Sequence, residues 1–269
     1  MEVKDYKKFY GFTENYLNGI ADKHKVSNLK KYFSPDVPQK KNMSTLFKRL
    51  CFHTQNSSRM RNSIKWDDNY NVIEKFTENF DVVKFLNNYN KCKNEEDIYK
   101  IIIKKFENLM NSSGKNIETY SKTIYTSAKF LSNFKTYDGF IKKMQDCGIF
   151  APEYLKKNII GLGSALACDF LKELDPSFDI CKPDVHVSAC IKKFSEIPDY
   201  VEGDLCDFLV RMKVTEIAKQ IDISAYKLDK MLYLICSENF YLDNNKRNNT
   251  SKFRDDFIGK IMDKEQGIF

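Results

Sequence analysis

The sequence predicts an all-α protein, and two observations support that prediction. Apolar side chains recur with the 3.6-residue period of a helix over several long stretches, whereas strict apolar–polar alternation, the pattern of a half-buried strand, is hard to find. The 269 residues include only 10 Gly and 6 Pro, which argues against a β-sandwich and leaves room for long helices. We therefore expect helices joined by short connections.

Three stretches, 70–86, 97–110 and 204–218, show the helical period most clearly. On each of them, apolar residues three or four positions apart would line one face and pack against the core. The predicted buried stripes are Val72, Ile73, Phe76, Phe80 and Val83; Ile98, Ile101, Ile102, Phe106 and Leu109; and Leu205, Phe208, Leu209 and Met212.

Composition bounds the class of protein. With 42% hydrophobic and 14% aromatic residues the chain can bury a core, and its length fits one large domain or two small ones. This composition excludes wholesale disorder. The 44 Lys and Arg against 37 Asp and Glu give a net charge of +7, which is compatible with a polyanionic partner but identifies none.

The eight cysteines are scattered, and no two are separated by the two residues that are typical of a zinc or iron–sulfur clasp. We therefore expect buried, reduced thiols. No stretch approaches the ~18 apolar residues of a transmembrane helix, and no apolar run follows the first lysines, so neither a membrane partner nor a signal peptide is expected. The expected location is the cytoplasm, nucleoid-associated in a bacterium, or the nucleus of a eukaryotic cell.

Breaks in the helical pattern suggest how the chain is divided. We predict N-terminal helices over 1–41 that pack with the C-terminal segment 198–269, and a helical barrel subdomain over 42–197. The breaks that guide this division are clusters of Gly, Pro, Ser and Asp. They lie at 34–39, 112–114, 146–148 and 195–199.

The most informative stretch begins with a candidate helical hairpin. A helix runs into Ile160, the triplet Gly161-Leu162-Gly163 turns, and Ser164 opens the next helix. Two glycines let the backbone bend sharply and approach another surface closely. The amides at the start of the second helix suit a phosphate, and Leu162 can plug the turn into the core. An ordinary αα-hairpin with a glycine turn is the alternative interpretation.

An aspartate follows the hairpin at the start of another helix. Pro183 fixes the chain as it enters this helix, and Asp184 stands at the N-cap position. A simple helix cap is the alternative to a functional carboxylate. Lys182, two residues earlier, is either a phosphate contact or a solvated side chain.

Together the hairpin and this aspartate resemble the helix-hairpin-helix DNA glycosylase superfamily, which includes endonuclease III, MutY and the alkyladenine and 8-oxoguanine enzymes. The family hairpin reads Leu-Pro-Gly-Val-Gly-x-Lys-Thr-Ala, and residues 159–167 match it as Ile-Ile-Gly-Leu-Gly-Ser-Ala-Leu-Ala. The family motif Val-Asp-Thr-His-Val corresponds to Pro-Asp-Val-His-Val at 183–187. The resemblance implies two helical subdomains with a DNA cleft between them.

The resemblance also implies residue roles. Asp184 would be the catalytic carboxylate, and Lys182 would contact DNA together with the hairpin residues Gly161, Leu162, Gly163, Ser164 and Ala165.

A further match, at 50–59, implies that Gln55 fills the gap left by an extruded nucleotide and that His53 and Asn56 line the base pocket. Each of these three has a plainer interpretation. Gln55 would be a polar residue at a helix C-terminus, and His53 and Asn56 would be solvated.

This chain departs from the family at three points, one of which is the family's arginine after the Asp motif, replaced here by Ala189 or a neighbouring residue. Ala165 stands where bifunctional members carry a lysine, and without an amine no Schiff base can form there. The cysteine quartet of the endonuclease III branch is absent, so no iron–sulfur cluster is expected. We therefore expect a monofunctional enzyme without an organic cofactor, although Lys182 could in principle replace the missing amine. The resemblance also suggests a monovalent cation on the carbonyls of Ile160 and Leu162.

The partner implied is double-stranded DNA that contains a damaged or modified base, bound by a monomer. The base itself stays open, and an alkylated purine, an oxidised base, a mismatched base and a modified cytosine are all compatible with the sequence.

A different class of function is also open. Residues 214–232 fit a helix-turn-helix in which Ile217 and Ala218 pack inward, Asp222 takes the left-handed turn position and Ser224 caps the second helix. On that interpretation the chain is a DNA-binding regulator without catalysis. A non-catalytic binder of DNA junctions that uses the hairpin is a further alternative.

Overall fold

A computed structural model of the chain describes residues 5–56, 58–92, 94–243, 252–263 and 268. Within these ranges the protein is all-α, as predicted, because helices and short 3-10 turns are the regular structure found there. The helices are α1 (Tyr6–Lys23), α2 (Met43–Thr54), α3 (Ser58–Ile64), α4 (Trp66–Phe76), α5 (Val82–Asn87), α6 (Glu95–Met110), α7 (Lys115–Leu131), α8 (Tyr137–Cys147), α9 (Ala151–Asn158), α10 (Ser164–Leu174), α11 (Val185–Phe194), α12 (Gly203–Gln220), α13 (Ala225–Ser237) and α14 (Lys252–Ile261).

The chain divides into two compact units. The central unit is Val37–Asp175, and the terminal unit combines Met1–Asp36 with Pro176–Phe269. The second boundary therefore lies at Asp175 and not at 197, where the sequence pattern placed it. The physical reason is packing: α11 contacts α12, α13 and α14, so the helix that follows Asp184 is part of the terminal unit.

Aromatic side chains fill the core of the central unit. The rings of Phe76 and Phe106 lie 4.7 Å apart between centroids, and Phe106 also contacts Tyr120 of α7. On the other side of the unit, Phe140 contacts Phe170 of α10. Helix α7 is buried along most of its length and packs against α2, α3, α5, α6 and α9, so it forms the centre of this unit.

Helix α13 has the same central position in the terminal unit, where it packs against α1, α11, α12 and α14. Residues from both ends of the chain share one core, as the contacts of Phe194 with Phe9 and with Phe257 show. The N-terminal segment is thus a part of this core and not an appendage.

The predicted helix over 70–86 is two helices. Helix α4 ends at Phe76, and Glu78, Asn79 and Phe80 adopt positive φ before Asp81 caps α5. This left-handed turn changes the phase of the apolar pattern. Val82 and Phe85 are therefore buried, whereas Val83 is 66% exposed and Val72 half-buried.

The predicted face of α12 is wrong. Leu205 is 58% exposed and Met212 is also exposed, while Phe208 and Leu209 are half-buried. The helix carries a second apolar series, and that series packs inward. Its members are Cys206, Val210, Val214, Ile217 and Ala218.

The prediction for α6 holds better. Ile98, Ile102 and Phe106 are buried, while Leu109 is half-buried and Ile101 is exposed at the edge of the stripe.

All eight cysteines are described and are free thiols, six of them buried, as expected. Among the described residues, no helix has both the length and the apolar character needed to cross a membrane.

Candidate functional site

The hairpin predicted at 160–164 joins α9 to α10 and is anchored to α7. Thr123 Oγ1 donates a hydrogen bond to the Ile160 carbonyl at 2.7 Å, and the Ile160 amide donates to Thr126 Oγ1 at 3.1 Å. Two threonines one turn apart thus fix both polar backbone groups of one hairpin residue. This anchoring holds the N-terminus of α10 in a defined position on the central unit.

The two glycines of the hairpin have different structural reasons. Gly161 has a φ of +80°, and a Cβ there would lie 2.6 Å from Thr123 Oγ1. Only glycine therefore fits this close approach to α7. Gly163 has an ordinary φ of −78°, and a Cβ there would meet no atom within 4 Å. Nothing inside the described protein requires a glycine at this second position.

Helix α10 begins without a side-chain cap. Gly163 is its N-cap residue, and the first backbone bond back to it comes from Ala167. The amides of residues 164–166 have no acceptor among the described residues, because the first turn of a helix cannot satisfy them internally. They form an uncapped, positively polarised end next to an open glycine. Ser164 Oγ is buried there without a hydrogen-bond partner.

The remaining hairpin residues lie as the sequence suggested. Leu162 is almost completely buried, so its side chain packs into the core and fixes the turn there. Ala165 is half-buried in the first turn of α10.

The two carbonyls suggested for a monovalent cation have different surroundings. The carbonyl of Ile160 accepts a hydrogen bond from the Thr123 hydroxyl, whereas that of Leu162 accepts none from the described residues.

Asp184 caps α11 in the terminal unit. Its backbone amide donates to the Lys182 carbonyl at 2.7 Å, so Pro183 stands at the centre of a tight three-residue turn that suits its fixed φ. Asp184 Oδ1 accepts the amides of His186 and Val187, each at 2.9 Å. Its Oδ2 makes no hydrogen bond to the described residues. One oxygen is thus fixed by the helix, while the other has no hydrogen-bond partner among the described residues.

The surroundings of Asp184 raise the pKa of its carboxyl group. Burial is the largest cause, and the nearby charge of Asp229 adds to it. The Val187 amide, Lys182 and His186 act in the opposite direction and favour the ionised form. His186 is itself buried against the ring of Tyr233, and its Nδ1 has no hydrogen-bond partner in the described structure.

The segment at the end of α2 is placed differently from the sequence expectation. Gln55 is only 3% exposed, its Nε2 donates to Asn56 Oδ1 at 2.8 Å, and its Oε1 is buried without a partner among the described residues. To fill a gap in DNA, this side chain would have to turn outward. Asn56 is half-buried.

His53 does not line an open base pocket. It is fully buried between α2 and α10, with Nδ1 3.6 Å from Asp169 Oδ2 and Nε2 3.5 Å from Glu173 Oε2. Lys172, also buried, lies 3.4 Å from Asp169 Oδ1, and Arg49 lies 3.9 Å from Glu173 Oε2. This ionic cluster ties the two helices together, so His53 is a core residue of the central unit.

One solved structure resembles the chain. It is the crystal structure of a Methanocaldococcus jannaschii 8-oxoguanine glycosylase/lyase in complex with a 15mer DNA containing 8-oxoguanine. The match has 15% identity and a TM-score of 0.47, and it covers 87% of this chain and 97% of that one. No protein-family model and no curated protein matches the chain. At this level of identity and structural similarity the likeness assigns no function to the chain.

The helix-turn-helix predicted at 214–232 exists, but it cannot read DNA as a regulator would. Asp222 has a φ of +56° and Ser224 caps α13, as predicted. The exposed Asp179 also accepts the amides of Ala225 and Tyr226, which closes the N-terminus of α13. Most of α13 is buried in the core of the terminal unit. A recognition helix must offer its side chains to the major groove, and this helix does not.

Sequence reasoning missed Thr123 and Thr126 on α7, which anchor the hairpin, and Asp229 on α13, which contacts the turn before Asp184. The available signals were polar residues at positions that a buried helix should fill with apolar ones. Asp229 stands directly after Leu228 and two residues before Met231, and both neighbours are buried. Such a buried carboxylate needs a partner and therefore marks a specific contact.

Proposed function

We propose that the chain is a DNA glycosylase that hydrolyses the bond between a damaged or modified base and its deoxyribose in double-stranded DNA. The observation that carries this proposal is the arrangement at Asp184. Two helix amides fix one carboxylate oxygen, while the other oxygen is left without a hydrogen bond to the described residues. A carboxylate fixed in this way is suited to act on a substrate, because its orientation is set before binding.

The hairpin supplies the DNA contact. The uncapped amides at the start of α10 favour a phosphate group, and the open position of Gly163 lets the backbone of a ligand come close. These contacts read no base sequence and depend on charge. Binding should therefore weaken as the salt concentration rises.

The chemistry follows from the carboxylate. The base must leave the stack, which costs a few kcal/mol and favours bases that pair poorly. As the N-glycosidic bond breaks, its electron pair goes to the base and positive charge develops at C1′. Ionised Asp184 stabilises that charge and accepts a proton from the water that adds to C1′. The departing base takes up a proton from solvent and Asp184 releases its proton to solvent, so the products are the free neutral base, an intact strand with an abasic sugar and ionised Asp184.

The lack of an amine at Ala165 makes the proposed enzyme monofunctional. A lyase needs a nucleophilic amine that forms a Schiff base with the sugar, and alanine offers none. Lys182 is the residue to test if strand cleavage is found, since it precedes Asp184 by two positions.

The test is release of free base from a panel of duplexes with alkylated, oxidised, mismatched and modified bases. The wild-type protein should release at least one of them. Asp184→Asn should lower the rate by about 100-fold or more, while DNA affinity stays equal or increases because one charge that repels phosphate is gone. Asp179→Asn is the matched control, since Asp179 also accepts two helix amides in the same unit, and it should keep its activity.

Two results would count against the proposal. Equal activity in Asp184→Asn would remove this carboxylate from the chemistry. Binding to every duplex without release of any base would identify a non-catalytic DNA-binding protein that uses the hairpin alone.

A further inference from the structure

A buried carboxylate on α13 contacts the turn that carries Asp184. Asp229 is only 2% exposed, and its Oδ2 accepts the backbone amide of Lys182 at 3.0 Å. The carbonyl of the same Lys182 accepts the Asp184 amide across the tight turn at Pro183. Asp229 therefore fixes one end of a three-residue turn, and Asp184 stands at its other end.

A neutral side chain could make the same hydrogen bond. An asparagine oxygen accepts a backbone amide as an aspartate oxygen does, without the cost of several kcal/mol for burying a charge. Asp229 is buried on α13 between Leu228 and Lys230. Accepting the Lys182 amide therefore does not by itself require a charged residue.

We propose that Asp229 is a positioning residue for Asp184, which holds the turn at Lys182 and places a second negative charge at the turn that carries Asp184. This inference rests on the proposed function, because it assigns Asp229 a part in the same reaction. A second negative charge favours the positive sugar that forms during base release. It also makes Asp184 a stronger base toward the attacking water.

Other ionisable groups also act on the Asp184 carboxylate. Lys182 in the preceding loop and His186 on α11 act against Asp229, since both favour the ionised form of Asp184. The pKa of the Cys190 thiol on α11 is raised first by its hydrogen bond with Cys236. The charge of Asp184 also raises this pKa, and Arg254 of α14 lowers it. Of the side chains that act on Asp184, Asp229 is the one whose charge raises its pKa.

Two substitutions separate the charge of Asp229 from its hydrogen bond. Asp229→Asn keeps an oxygen for the Lys182 amide and removes the charge. It should shift the acid limb of the pH–rate profile to lower pH by about one unit and lower the plateau rate by less than about tenfold. Asp229→Ala removes both and leaves a buried amide unpaired, so its rate should fall further. Asp179→Asn, which removes a carboxylate from the other contact with α13, should leave the profile unchanged.

A measurement that does not need activity completes the test. In protein labelled with ¹³C at the aspartate carboxyl groups, the Asp184 signal is assigned as the one missing in Asp184→Asn, and its titration is followed by NMR. The pKa of Asp184 should be lower in Asp229→Asn than in the wild type. An unchanged titration, or an unchanged acid limb in an active protein, would overturn the role of Asp229.

The two proposals can fail separately. If the Asp184 titration shifts as expected but no duplex releases a base, Asp229 does position Asp184 and the glycosylase proposal fails. If base is released while neither the titration nor the profile moves, the glycosylase proposal stands and Asp229 is only structural.

Discussion

At the scale of single residues, the ionised carboxylate of Asp184 should lower the free energy of unfolding. Its pKa in the folded state is raised by burial and by Asp229, so ionisation is harder in the folded than in the unfolded chain. The cost is absent below the usual pKa of an aspartate, grows as the pH rises and is complete above the raised pKa. Asp184→Asn keeps a good N-cap for α11 and should therefore unfold at a higher temperature than the wild type at pH 7.

The measurement is thermal unfolding of both proteins at pH 7 and at pH 4. The difference between them should shrink at the lower pH. A variant that is less stable than the wild type at pH 7 would show that the ionised Asp184 is favoured by folding, contrary to the raised pKa.

His53 should contribute to stability and not to the choice of base. Its ring lies between the carboxylates of Asp169 and Glu173, so His53→Ala leaves a buried cavity and removes one of the groups that each carboxylate contacts. We expect a loss of about 2–4 kcal/mol in the free energy of unfolding. Urea unfolding gives that value, and the base panel gives the relative rates.

Asn56→Ala is the matched control for this substitution, since Asn56 is only half-buried in the segment next to His53. It should change stability by less than about 1 kcal/mol. If His53→Ala stays as stable as the wild type but prefers a different base, His53 contributes to the choice of base after all.

The cap position of Asp184 could be predicted from the sequence, whereas the burial of His53 could not. Pro183 and the cap position of Asp184 are local features, set by a few neighbouring residues, and the structure has both. The burial of His53 and Gln55 depends on how α10 packs against α2, which is a contact between residues more than a hundred positions apart. No local pattern carries that information.

At the scale of elements, the two hairpin glycines should respond differently to alanine. Gly161→Ala forces a positive φ on alanine and places its Cβ against Thr123, so we expect a loss of about 2–3 kcal/mol. Gly163→Ala meets open space at an ordinary φ and should change stability by less than about 1 kcal/mol. Its Cβ would stand beside the free amides of α10 and weaken DNA binding.

Urea unfolding and affinity for an unmodified duplex at constant salt separate the two effects. Each variant is the control of the other, because both add one methyl group to the same turn. If Gly163→Ala binds DNA as tightly as the wild type, the start of α10 is not a phosphate contact.

Helix positions could be predicted from the sequence, but helix faces only in part. The breaks at 112–114 and 146–148 coincide with the ends of α6 and α8, because glycine and polar turn residues act locally. On α12, two apolar series compete, and the core of the terminal unit buries the one that includes Val210 and Val214. The turn at 78–80 contains no glycine, so nothing in the pattern marked the end of α4.

At the scale of the whole molecule, the two units differ in how the chain forms them. The central unit is one continuous segment, whereas the terminal unit needs both ends of the chain. We expect the fragment 37–175 to fold cooperatively, with weak binding to DNA and no release of base, since it carries the hairpin but lacks Asp184. Circular dichroism, urea unfolding and the base-release assay check these expectations.

The complementary fragment 176–269 provides the contrast. Its core includes Phe9, Leu17 and Tyr32 from the N-terminal segment. Without them it should not unfold cooperatively, and adding a peptide of residues 1–36 should restore part of its structure. A stable, cooperative 176–269 fragment would show that the N-terminal segment is dispensable for this core.

At the same scale, the fate of the DNA strand distinguishes hydrolysis by water from lyase chemistry. A glycosylase that uses water leaves an intact abasic strand, which breaks only on later treatment with alkali or heat. Because Ala165 offers no amine, borohydride should trap no covalent adduct between protein and DNA. Ala165→Lys would place an amine in the first turn of α10, and it tests whether the assay can detect trapping.

Efficient trapping of the wild-type protein would show that another lysine acts as the nucleophile. Lys182→Ala then decides the mechanism, since Lys182 precedes Asp184 by two residues and its backbone is already fixed by Asp229. Loss of trapping in that variant would make the enzyme bifunctional. Trapping that persists in Lys182→Ala would assign the nucleophile to a lysine elsewhere in the chain.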